Sequence, residues 1–342
     1  MADSHDWIRR LPKAELHLHL EGTLEPEMML ALATRNRIDL PFSTVEEIRA
    51  AYRFRRLDDF LAIYYQGMAV LRTDQDFHDL TLAYLKRAHA DGVRHAEVFF
   101  DPQGHTRRGV ELGTVIAGIV GALRDASASL GVTTRLIMCF LRDLPEADAL
   151  QTLERAEPYL EHIAAVGLDS TELGNPPAKF RRAFDAARAR GLRLVAHAGE
   201  EGPPEYVREA LDVLRIDRLD HGNRALEDAA LIARLRSLQM ALTVCPLSNL
   251  RLGSVADMRR HPLKKMLECG LRATVNSDDP AYFGGYVHEN FVAAVESLRL
   301  TGDEVVTLAR NSFRGSFLDP ASVAGHLQDI DRHCAAAGRD EA

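Results

Sequence analysis

Four histidines and a few carboxylates stand in short motifs suited to metal-assisted proton chemistry. In His17-Leu18-His19, strand alternation puts both imidazoles on one face, where two nitrogens can share one ion. His197-Ala198-Gly199-Glu200 adds a third imidazole, followed in a glycine-containing turn by a carboxyl that can face a metal without ligating it. Asp220-His221-Gly222 supplies another strand-end histidine, and Ser277-Asp278-Asp279-Pro280 a pair of acids. Each has an ordinary explanation taken singly: a half-exposed strand, a solvated loop acid, a structural histidine, a turn cap. Together, His17, His19, His197 and Asp278 form a nitrogen and oxygen donor set that suits one zinc ion and leaves a position for an activated water. Glu200 then suits a proton shuttle. If Asp278 binds metal, Asp279 is left to hydrogen-bond the substrate, and the closeness of the two acids favours its taking a proton.

Such residues need elements that bring them together. Eight short apolar runs, Ala14–Leu20, Val93–Phe100, Thr133–Phe140, Ala164–Asp169, Leu192–His197, Arg218–His221, Met240–Cys245 and Arg272–Ser277, alternate with helical stretches. That alternation predicts an α/β fold of the (β/α)8 TIM-barrel type, whose active sites gather at the carboxyl ends of the strands. The interval 21–91 is too long for one crossover and reads as a helical insertion over the barrel mouth, with Leu57–Val70 helical. Val287–Leu298 and Asp303–Phe317 also read as helices, and Gly338–Ala342 as a polar, frayed tail. No repeat or linker interrupts residues 1–342, so a single domain is expected, with 303–342 as C-terminal helices and tail.

Composition narrows the partners. The chain has 342 residues, 46% hydrophobic and 27% charged, which sets aside disordered and fibrous classes. A net charge of -8 argues against a nucleic-acid partner and for a small neutral substrate. The four cysteines form no CxxC pair, and the start Met1–Asp6 is polar, with no apolar signal core and no membrane-length run after it. A cytoplasmic protein without a membrane partner is expected; a homo-oligomer stays open.

In order and at barrel spacing, Pro12–Gly22, His197–Glu200, Asp220–Gly222, Thr243–Asn249 and Ser277–Pro280 resemble the adenosine/adenine deaminase family of the amidohydrolase superfamily, over nearly the whole chain. The resemblance implies one zinc on His17, His19, His197 and Asp278, Glu200 as proton donor, His221 beside the attacking water, and Asp279 on the purine N7. It also implies that the region around Tyr52–Tyr65, with Phe54, Leu57, Phe60 and Leu61, caps the pocket.

Two departures bear on the substrate. Adenosine deaminases carry an aspartate that reaches the ribose where Glu21 stands here; the extra methylene projects into the sugar's space and favours a free base. After the fourth strand, Asp169–Phe180 looks like the adenine deaminase branch, and Glu172 is a candidate acceptor for a ring N–H that a nucleoside lacks. The expected reaction is deamination of adenine to hypoxanthine in purine salvage; adenosine or an N6-substituted adenine is the alternative by the same mechanism. A two-metal amidohydrolase is disfavoured, since the fourth strand ends in Asp169-Ser170 with no bridging lysine. A purine-binding barrel without catalysis would have no need of the full donor set.

Overall fold

Each apolar run becomes a strand, within two residues of the expected bounds. The computed structural model describes residues 2–54, 56–336 and 338. The strands are β1 (Lys13–His19), β2 (Val93–Phe100), β3 (Thr133–Leu141), β4 (Ile163–Asp169), β5 (Arg193–Ala198), β6 (Arg218–His221), β7 (Ala241–Val244) and β8 (Arg272–Val275). They lie parallel in chain order as one eight-stranded sheet. Beyond β8 the chain returns to β1: His19 N–H donates to Asp278 O (3.0 Å) and Asp278 N–H to His17 O (3.1 Å). The seam that nearly closes the barrel therefore joins residues of the proposed donor set.

The sequence dictates this arrangement through burial. Between β2 and β3, helix Leu112–Leu130 buries Val115, Ile116, Ile119, Ala122 and Ala126 at helical spacing and stops at Gly131, whose φ of 66° favours glycine. Phe99, Ile137, Cys139, Ala165 and Val195, from β2 to β5, pack as one buried cluster. Arg218 on β6 crosses to pair with Glu97 on β2, both fully buried.

Among the described residues, the interval 21–91 holds four α-helices, Pro26–Asn36, Val45–Ala51, Leu57–Gly67 and Asp74–Ala90. The last is the β1–β2 crossover, so the insertion proper is shorter than the interval. The expected helix Leu57–Val70 is α-helical to Gly67 and tightens into a 3-10 turn over Met68–Val70. After β8 come Val287–Leu298, Gly302–Arg314 and Pro320–Ala336; the second ends three residues earlier than expected. Of the tail Gly338–Ala342, all but Gly338 lie outside the described residues. Among the described residues, no helix is long and apolar enough to cross a membrane, and no disulfide joins the four cysteines.

Candidate active site

At the carboxyl ends of the strands, four candidate ligand atoms converge. His17 Nε2 lies 3.1 Å from Asp278 Oδ1, His19 Nε2 lies 3.5 Å from the same oxygen, and His19 Nε2 lies 3.2 Å from His197 Nε2. Ligands at zinc-like distances from one tetrahedral ion stand about 3.4 Å apart. His17, His197, His221 and Asp278 also bring one such atom each within 4.8 Å of one another, so either His19 or His221 could complete a set of four.

The hydrogen bonds behind the rings separate the two. His17 Nδ1 faces Thr243 Oγ (2.9 Å), and that hydroxyl donates onward to Asp220 Oδ1 (2.8 Å). The threonine oxygen therefore accepts from His17 Nδ1–H, leaving the lone pair on Nε2. His19 is oriented alike, with Nδ1 3.5 Å from Asp169 Oδ2. His221 has the opposite polarity. Leu263 N–H donates to His261 Nδ1 (3.1 Å), and His261 Nε2–H donates to Asn249 Oδ1 (3.1 Å). Asn249 then turns its amide N–H toward His221 Nδ1 (3.5 Å). This puts the His221 proton on Nε2, 3.5 Å from Glu200 Oε2. Lone pairs on His17 and His19 facing a carboxylate and another imidazole repel unless a cation lies among them, so these buried donors fit a metal.

Strand-end backbone aims the side chains. His221 and Asp278 have φ of 60° and 63°, a region that costs a non-glycine residue about 1 kcal/mol or more. Gly22 is required by close approach, since a Cβ there would collide with Asp279.

Burial sets the charges. It is the main force lifting Glu200 and Asp279 well above the usual carboxylate range, with Asp278 the next contributor to both. The shift favours the protonated form of both, the form that can donate. Asp101 is likewise pushed well up, by burial and then by Asp169. Burial also lowers His221 to about 3, keeping it neutral.

The pocket wall comprises His19, His197, His221, Glu200, Asp278 and Asp279 from the expected set, with Asp101, Asp169 and Ser170 beside them. Leu57, Phe60, Leu61, Tyr64 and Tyr65 of helix Leu57–Gly67 cover it, with Leu252. Together these side chains narrow the entrance over the candidate ligands.

Two expected contacts fall elsewhere. Glu172 is not on the wall: its carboxylate accepts from the backbone N–H groups of Gly199, Glu200, Glu201 and Gly202 (2.7 to 3.1 Å). With both oxygens engaged, its place is to hold the loop that carries Glu200, which corrects the reading of it as an acceptor for the base. Glu21 is also off the wall, its Oε1 accepting from His105 Nε2 (2.6 Å) and Asp101 N–H (3.1 Å). Sequence reasoning assigned no role to Asn249, His261 or Arg142. Arg142 is fully buried and donates to His197 O (2.7 Å), and its only signal in the sequence was its place just past a strand end.

A parallel barrel with histidines and acids collected at the ends of β1, β5, β6 and β8 defines a hydrolase of the amidohydrolase type. Residues 12–333 match the family model described as adenosine deaminase, and the chain belongs to that family. It is 63% identical over 327 residues to an adenine deaminase of Sphingopyxis alaskensis, covering 96% of each chain. With an adenine deaminase of Rhodospirillum rubrum the identity is 62% over 324 residues, 95% of this chain and 97% of the other. Among solved structures, an adenine deaminase from Arthrobacter aurescens superposes with a TM-score of 0.93 at 53% identity, covering 94% of this chain and 98% of that one. An amidohydrolase from Burkholderia ambifaria with bound zinc gives 0.90 at 28% identity, covering 99% and 96%.

Proposed function

We propose that this chain is a zinc-dependent adenine deaminase, converting adenine and water to hypoxanthine and ammonia in purine salvage. The observation that carries the substrate is the shared name of relatives at 62–63% identity over nearly the full chain. The zinc seen in the Burkholderia neighbour supports the metal, as do the lone pairs that converge here. His17, His19, His197 and Asp278 would hold the ion, which when bound polarises a water at neutral pH. A cytoplasmic setting fits the lack of disulfides.

The chain's own residues do the rest. Glu200, neutral and buried, donates its proton to N1 as the water oxygen adds to C6, drawing electron density from the ring. His221, with its proton on Nε2 toward Glu200, holds the incoming oxygen beside the acid. Asp279, also neutral, donates to N7. The Glu200 carboxylate left behind takes the first water proton and is restored as the acid; the C6–N6 bond breaks as the second water proton passes to the amine, which leaves as ammonia, and the oxo product keeps the proton on N1. The helix Leu57–Gly67 excludes bulk water, which strengthens each of these hydrogen bonds.

The test is ammonia release by zinc-loaded protein offered adenine, adenosine and N6-methyladenine, with zinc counted per chain by elemental analysis. Strong preference for adenine with one zinc is expected. Preference for adenosine would overturn the substrate, and two metals per chain would overturn the single-ion site.

A further inference from the structure

We infer that Asp101 accepts the imidazole N–H of the free base and so selects adenine over its N9-substituted forms, an inference that rests on the adenine reading above. Adenine carries polar atoms on two edges. N1, N6 and N7 belong to the edge that must face the hydrolytic centre; N3 and N9–H lie opposite. Glu200 and Asp279 serve the first edge. The remaining polar groups on the pocket wall are Asp101, Asp169 and Ser170, from the ends of β2 and β4, and the hydroxyls of Tyr64 and Tyr65, which are bonded to Asp101 and Ser170.

Two acids offer an acceptor to the far edge, and Asp101 is the one held in place from two sides. The Ser170 hydroxyl is bonded to Tyr65 Oη (3.0 Å), and Asp169, whose oxygens also lack a hydrogen-bond partner, lies with Oδ2 3.5 Å from His19 Nδ1. Asp101 is 2% exposed and held from two sides: its N–H donates to Glu21 Oε1 (3.1 Å), and its Oδ2 accepts from Tyr64 Oη (3.3 Å). Its Oδ1 is buried on the wall beside the Asp169 carboxyl, and no backbone N–H, hydroxyl or basic side chain of the described residues donates to it. An orphaned buried oxygen of this kind is costly unless a ligand completes it. A carboxyl oxygen accepts in either protonation state, and N9–H is the only donor on the far edge of adenine.

A nucleoside fails there twice. A sugar carbon replaces the N–H, so Asp101 Oδ1 would stay buried and unpaired. The space behind is also filled, because Glu21 backs Asp101 and is itself braced by His105, whose ring packs edge-on against Phe77 at 4.8 Å. Glu21 thus acts through Asp101 as a positioning residue. The selection against a sugar that its length suggested is exerted one residue further into the pocket.

The experiment compares adenine with 9-methyladenine as substrates for the unaltered protein, Asp101→Leu and Asp101→Asn, reading kcat and KM separately. The leucine keeps the bulk and removes the acceptor; the asparagine keeps both. We expect Asp101→Leu to lower kcat/KM on adenine roughly 10- to 100-fold, mostly through KM, with little change on 9-methyladenine. Asp101→Asn should stay within a few-fold of the unaltered protein in its preference. An equal loss on both substrates with Asp101→Leu would overturn the inference while leaving adenine deamination intact. Should Asp101→Leu not fold, equal KM values for adenine and 9-methyladenine in the unaltered protein would overturn it alone. No turnover of adenine by the unaltered protein would instead remove the functional reading beneath it.

Discussion

The two halves of the barrel treat buried charge in opposite ways. Toward the amino ends of the strands the buried charges have partners. Glu97 accepts from Arg218, His95 Nε2 and Phe317 N–H, and Arg218 also donates to Leu16 O (3.0 Å). Lys13 Nζ donates to Asp91 O (2.6 Å) and Arg9 O (3.1 Å), and Glu15 accepts from Tyr84 Oη and Ser277. At the mouth, equally buried acids keep bare atoms: Glu200 Oε1, Asp101 Oδ1, Asp279 Oδ1 and both Asp169 oxygens. Burial is the same and completion differs. The lower network specifies the fold through paired charges, whereas the upper one leaves several acids without partners that a ligand could supply.

The contrast predicts that substitutions in the two networks damage different properties. The largest effect is expected for Glu200→Gln, which cannot deliver a proton: turnover falls about 10²- to 10⁴-fold, while the melting temperature holds or rises. A calorimetric scan showing a large loss of stability would place Glu200 with the structural charges instead. Glu97→Gln should do the reverse. It strands the buried Arg218 guanidinium and costs about 3 to 5 kcal/mol of stability, measured by urea unfolding, with the residual folded protein still active.

A smaller effect concerns acid. Arg218 and then His95 outweigh the burial of Glu97 and hold it at about 2, below its ordinary 4.5. A carboxylate depressed in the folded state stabilises fully above 4.5, and that stability is lost as pH falls through 4.5 toward 2, in all about 3 kcal/mol. Glu97→Gln should flatten this part of the stability profile; an unchanged acid limb would argue against the pairing. Smallest is Glu172→Gln. One amide oxygen cannot accept from four N–H groups, so the Glu200 loop loosens, and kcat should fall about tenfold with KM nearly unchanged. A rise in KM alone would instead return Glu172 to the substrate.

Much of this site was legible in the residues themselves. His17 and His19 declared a shared face through strand alternation, and His197, His221 and Asp278 each ended an apolar run of strand length. Local patterns of that kind survive folding because they depend on neighbours in the chain. The eightfold alternation of strand and helix was enough for the barrel, since each run had to bury both faces. Glu172 and Glu21 show the limit. Both sit in motifs beside the catalytic residues, yet one turns to cap a loop 27 residues further on and the other to brace His105.

Sequence alone thus determined which residues reach the barrel mouth, because position along a strand decides that. Which ring nitrogens carry protons, and which acids remain unpaired, was decided only by the tertiary structure. The His261–Asn249–His221 chain and the Tyr64–Asp101–Glu21 cluster join residues from separate elements, and a hydrogen bond has a direction only once both partners are in place.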